Sequence, residues 1–66
     1  MILTINGKEK EIKEGLNLEE IMIHLEMKDK VMAAAINMEI VKKEQWNRLK
    51  PQNNDKLELL QFVGGG

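Results

Sequence analysis

Only one stretch of this chain carries the period of a sustained helix. Leu18, Ile21, Met22 and Leu25 recur at i, i+3, i+4 and i+7, which lines four apolar side chains along one stripe of a helix of about ten residues. Asn17 precedes the stripe as an N-cap, Glu20 stands three residues further on to close a capping box, and Glu19 adds negative charge to the first turn. Leu16 and Ile21 occupy the positions of a hydrophobic staple, whereas Ile23 falls off the stripe. A single amphipathic helix cannot bury its own apolar face, and nothing else in the 66 residues has the pattern of a second helix of similar length. The cover must be a sheet, and the fold class is therefore α+β.

The extended segments on either side supply that sheet. Met1-Ile2-Leu3-Thr4-Ile5 is a short apolar, β-branched run ending at Asn6-Gly7. Asn-Gly is the strongest short signal for a hairpin, because both central residues of a type I′ turn need positive φ. The returning strand, residues 8–13, is charged on both faces except at Ile12, as suits an edge that must not recruit another chain. His24 is placed on the surface near the end of the helix. Residues 31–36, Asn37-Met38 and residues 39–41 then read as a second hairpin. Its alanines Ala33, Ala34 and Ala35 would let a helix or a partner come close, and Met32 and Met38 are expected to fill irregular gaps in the core, the other reading being an adaptable contact surface.

Residues 42–48 are expected to form a short helical turn that plants Trp46 against the body. Turn formers between Leu49 and Asp55 lead into a last strand, residues 56–62, whose adjacent Leu59 and Leu60 are expected of an interior strand buried on both faces. The economical arrangement is a mixed sheet of four to five strands wrapped around one helix. The first and last strands are central and parallel, joined by a right-handed crossover. This is the β-grasp, or ubiquitin-like, architecture, assigned to residues 1–62. Its expected core is Leu18, Ile21, Met22 and Leu25 packed with Leu3, Ile5 and Leu59.

Composition narrows function by exclusion. The chain has no cysteine and one histidine, too few ligands for a thiolate zinc site or a histidine cluster. Its formal net charge of −1 gives no field to attract nucleic acid or an anionic membrane. Lys8, Lys10, Lys42 and Lys43 are interleaved with glutamates and read as solvated faces. No apolar run reaches the length of a membrane span, and the N-terminal residues lack a signal-peptide pattern, so a cytoplasmic protein is expected.

The other end is open to two readings, a frayed end or linker remnant and a terminus that takes part in chemistry. Val63-Gly64-Gly65-Gly66 follows directly on the last strand, and glycines there add nothing to a core. They form a flexible tail, residues 63–66, that can thread a narrow channel. Four extended residues reach about 13 Å, enough to carry the carboxylate of Gly66 into a partner's active site while the folded body stays outside. With a reference pKa of about 3.5 that group is a carboxylate at neutral pH, which resists nucleophilic attack until it is activated. The chain offers no nucleophile or acid–base dyad of its own.

Several of these segments, in this order, resemble the sulfur carriers of thiamin biosynthesis, the ThiS family. They are the opening strand into Asn6-Gly7, the stretch Ala35-Ile36-Asn37-Met38-Glu39-Ile40-Val41, Lys43-Glu44-Gln45-Trp46, the Asn54-Asp55 turn, and Phe62-Val63-Gly64-Gly65-Gly66. One departure is that the family often has glycine where Met38 stands. Methionine is costly at positive φ, so whether the second hairpin keeps its turn type or takes another stays open here. The resemblance implies a protein co-substrate and not an enzyme, with no bound cofactor. A ThiF-like adenylating enzyme, related to ubiquitin activators, would use ATP to make an acyl-adenylate on Gly66. A sulfur-donating enzyme would convert that to a thiocarboxylate, and a ThiG-like thiazole synthase would take the sulfur. Gly66 would carry the reacting carbon, Gly64 and Gly65 would give access, and Phe62 and Val63 would form the docking rim. Three other readings stay open at this point: a molybdopterin synthase small subunit-like carrier, a ubiquitin-like protein modifier, and a non-catalytic β-grasp interaction module.

Overall fold

The computed structural model describes residues 1–62. The elements follow in the order β1 (Ile2–Ile5), β2 (Lys8–Glu11), α1 (Leu18–His24), a 3-10 turn (Lys28–Lys30), β3 (Val31–Ile36), β4 (Glu39–Val41), a second 3-10 turn (Lys43–Gln45) and β5 (Lys56–Gln61). The strands form one five-stranded sheet in the order β2-β1-β5-β3-β4. Both hairpins are antiparallel, and β1 runs parallel to β5. This is the mixed β-grasp sheet that the single helical stripe demands, and the readings on Val63, Gly64, Gly65 and Gly66 lie outside the described residues.

The helix is closed at both ends by its own sequence. Asn17 Oδ1 accepts from the Glu20 amide at 2.7 Å and Glu20 Oε1 accepts from the Asn17 amide at 2.9 Å, completing the capping box. The next amides, of Leu18 and Glu19, donate to the carbonyls of Leu49 and Trp46 at 2.8 and 3.0 Å, so the 3-10 turn region caps the helix as well. At the far end Glu26 takes φ of 60°. The Met27 amide reaches back to Met22 and the Glu26 amide to Ile23, a Schellman closure with glutamate where glycine is usual.

Leu18, Ile21 and Met22 are fully buried against Leu3, Ile5, Leu57 and Leu59. Leu25, expected in the core, is only half-buried at the C-cap, where the helix already turns away from the sheet. Ile12 is buried just beyond the end of β2. Trp46 is 2% exposed and donates from Nε1 to the Val41 carbonyl at 3.0 Å, which confirms its packing role and gives its polar atom a partner.

Two expectations are corrected and one open point is closed. Met32 and Met38 do not fill the core; both are exposed, and the buried methionine is Met22. The Asn37-Met38 turn does not escape positive φ. Asn37 and Met38 take 49° and 71°, the signs a type I′ turn requires; type II′, the other two-residue closure that matches the strand twist, favours glycine where Asn37 stands. Leu60 is not buried. β5 is interior by pairing, but the sheet has a helix on one face only, so Leu57 and Leu59 point to α1 while Leu60 faces out.

Two turn asparagines fix β5 from either side. Asn6, with φ of 52°, accepts on Oδ1 from the Leu59 amide at 2.8 Å and donates from Nδ2 to the Leu59 carbonyl at 3.2 Å. Asn37 accepts on Oδ1 from the Lys56 amide and donates from Nδ2 to Asp55 Oδ1, both at 3.0 Å. The first of these extends the parallel seam beyond its two registered pairs, Thr4 with Lys56 and Ile5 with Leu57.

In urea denaturation, Leu18→Ala should cost about 2–5 kcal/mol and Leu25→Ala clearly less, because only the former empties a fully enclosed site. Met38→Gly should raise stability by about 1 kcal/mol by removing a Cβ from a left-handed backbone. A loss of stability in that variant would mean that the Met38 side chain is held by contacts worth more than the strain.

Candidate functional site: the open face of the sheet

The outer face of the sheet is built by register. Ala33 pairs with Leu60 and Ala35 with Glu58 across the β3/β5 seam, and Ala35 pairs with Ile40 across the hairpin. These residues alternate with the inward Ala34, Leu59 and Val41 and therefore stand on the side away from α1. The β3/β5 register slips between Val31 and Ala33. That bulge leaves Met32 without a registered partner on β5 and lets Val31 and Ala34, three residues apart, both face inward. The small side chains of Ala33 and Ala35 leave a shallow groove that Ile40, Leu60, Glu58 and Asn6 also line.

The result is an apolar strip on a protein with only one aromatic residue besides its tryptophan. Ile40 is 75% exposed, Leu60 61% and Met32 51%. Phe62 follows β5 in the outward phase and is 66% exposed, so it is a surface residue and not part of the core. Its amide donates to the Lys30 carbonyl at 2.6 Å, which ties the end of the strand to the segment preceding β3. The strip thus runs from the β4 edge across the sheet to the last residue before Val63.

Of the site residues read from the sequence, the described structure places Phe62 alone; Val63, Gly64, Gly65 and Gly66 lie outside it. Ile40 and Leu60 were missed as surface residues, and for Met32 the contact-surface reading holds over the core one. The signal was present in the doublet Leu59-Leu60: in a chain with one helix, only one of two adjacent leucines on a strand can find cover. His24 is exposed at the end of α1, remote in sequence from any partner group. Among the described residues no cluster of three or more His, Asp or Glu is arranged to hold a metal, and no helix is long and apolar enough to cross a membrane.

One helix held by a five-stranded mixed sheet, with its first and last strands parallel at the centre and its other face bare, defines a β-grasp domain of the ubiquitin-like class. Within that class, the model of the ThiS family matches residues 3–66, and the chain belongs to this family of sulfur carriers of thiamin biosynthesis. The sulfur carrier protein ThiS of Escherichia coli (strain K12) is 30% identical over 66 residues, covering all of both chains. The crystal structure of the thiamine biosynthesis protein ThiS from Geobacter metallireducens superposes with a TM-score of 0.81 at 31% identity, again over all of both chains. A thiazole synthase of Paramagnetospirillum magneticum is 33% identical across this chain, which spans only 20% of that protein's length.

Since Phe62 and Leu60 project from the face without a helix, Phe62→Ala and Leu60→Ser should leave the far-ultraviolet circular dichroism spectrum and the melting temperature almost unchanged. A cooperative unfolding shift like that of a buried leucine would contradict the assignment of these side chains to the open face.

Proposed function

We propose that this protein carries sulfur on the carboxyl group of Gly66. The carboxylate attacks the α-phosphorus of ATP on a ThiF-like adenylating enzyme and pyrophosphate leaves. Sulfur delivered by a donor enzyme then displaces AMP, leaving a thiocarboxylate whose sulfur passes to a ThiG-like thiazole synthase. Every catalytic group in this sequence belongs to a partner; the carrier contributes a reachable carbonyl carbon and a surface by which it is held. ATP is consumed by the adenylating partner and is not bound by the carrier itself. Residues 1–62 act as the body, and Val63, Gly64, Gly65 and Gly66 as the tail that enters the channel, Gly66 being the reacting residue.

The observation that carries this reading is the family match running through the glycine terminus at residue 66. It is supported by the apolar strip that leads along β5 to Phe62. A partner that seats on Ile40, Leu60, Met32 and Phe62 would hold the base of the tail, so that affinity comes from the body and reaction from the end. The likeness to one fifth of a thiazole synthase supports that enzyme as the receiver, since a carrier-like stretch there shares a chain with the named activity.

The test is ATP–pyrophosphate exchange with the adenylating partner. Deleting Gly66 leaves a chemically similar terminus but shortens the reach by about 3.3 Å, and displacements near 1 Å already cost on the order of a hundredfold in rate. Gly65→Val keeps the length but stiffens and widens the chain. Both variants should lose exchange while keeping the wild-type melting temperature, and Phe62→Ala should raise the carrier concentration needed for half-maximal exchange. Wild-type exchange by both tail variants would overturn the proposal.

A further inference from the structure

We propose that Asn6 is a deamidation site that the fold holds closed, and that its reaction unclasps the strand leading to the C-terminal residues. Asn6 is followed by Gly7, whose lack of a side chain leaves its backbone nitrogen the least hindered nucleophile that can follow an asparagine. Nothing lies within 4 Å of where a Cβ on Gly7 would be, so the turn is open to water. In this reaction the Gly7 nitrogen bonds to Asn6 Cγ, and the side-chain nitrogen departs as ammonia with the displaced proton. Water then opens the cyclic imide at either carbonyl, giving aspartate or the isoaspartyl linkage. The net change is one water in and one ammonia out, with no oxidant or cofactor.

The folded chain opposes the first step. The Asn6 amide is occupied at both ends by the backbone of Leu59, at 2.8 Å to its N–H and 3.2 Å to its carbonyl, and this pair of bonds directs Cγ towards β5. Attack by Gly7 requires that the side chain leave Leu59 and swing back over its own backbone. The reaction therefore proceeds from the fraction of molecules in which the seam between β1 and β5 has opened. The product cannot close it again as before. A carboxylate still accepts from the Leu59 amide but has no N–H for the Leu59 carbonyl, and sets two oxygen acceptors against each other. The isoaspartyl form also inserts a methylene into a two-residue turn whose φ angles are both positive, at 52° and 84°. Leu59 is three residues before Phe62, so the damage falls on the strand that presents the docking strip.

The experiment follows conversion of Asn6 by peptide mass spectrometry in the full chain, incubated in mildly alkaline buffer with and without denaturing urea. Conversion in the folded protein should be slower by about tenfold or more, as the population of a locally opened seam requires; a smaller difference overturns the proposal. The Asn6→Asp variant should melt below the wild type and exchange its Leu59 amide hydrogen faster, and aged wild-type protein should show the same two changes. Unchanged melting and unchanged Leu59 exchange in the aged protein would show that the clasp does not depend on the amide.

Discussion

The parallel pairing of β1 with β5 is the contact on which the rest of this molecule depends. It joins the first strand to the last across almost the whole chain, so both hairpins and the helix must already lie in compatible positions when it closes. Its registered core is short, and the chain reinforces it from the flanks. Thr4 and Asn6 donate backbone N–H groups to Asp55 and Leu57, the Asn6 side chain reaches Leu59, and the Asn53 side chain accepts from Ile2 at 2.6 Å. These polar contacts do not drive folding; burial of Leu3, Ile5, Leu57 and Leu59 under α1 does that. They determine the register in which burial happens, and hence where Phe62 emerges.

A sheet with one helix is necessarily two-faced. The inner face takes nearly all the large aliphatic side chains, and in so small a domain little apolar residue is left over. Ile40, Met32, Leu60 and Phe62 nevertheless stand on the outer face, where their apolar surface is left uncovered and adds nothing to the folding of this domain. Under the function proposed above, this patch is where the partner enzyme seats. The β2 edge, carrying Lys8, Glu9, Lys10 and Glu11, is protected by charge, whereas the strip lies beyond the central seam on the side of β3 and β4. One half of the sheet is thus closed to association and the other half is open to it.

Much of this was legible in the sequence because it rests on local rules. The capping box at Asn17 and Glu20, the Asn6-Gly7 turn, the stripe of α1 and the central position of the last strand all follow from periodicity and turn chemistry. What was not legible depended on which faces had cover. Leu60 looked like a core residue because strand pairing and face burial are separate properties, and adjacency to Leu59 reports only the first. Met32 is outward because of a bulge, which no single residue announces. Met38 keeps positive φ because hairpin closure outweighs the preference of its side chain. Of the site, Phe62 could be placed from the alternation of β5, while the strip joining it to Ile40 needed the register between three strands.

In the proposed function, sulfur replaces oxygen at the carboxyl group of Gly66. That replacement is tested most directly by isolating the protein from cells making thiamin and fragmenting its C-terminal peptide in a high-resolution mass spectrometer. The exposed side chains of Met32 and Met38 can take up oxygen and add almost the same mass, so the shift must be localised to the fragment ending in Gly66. A sulfur carrier should show sulfur on that fragment in cells that retain the adenylating enzyme, and oxygen alone in cells that lack it. A terminal fragment that carries only oxygen in both strains would contradict the proposal.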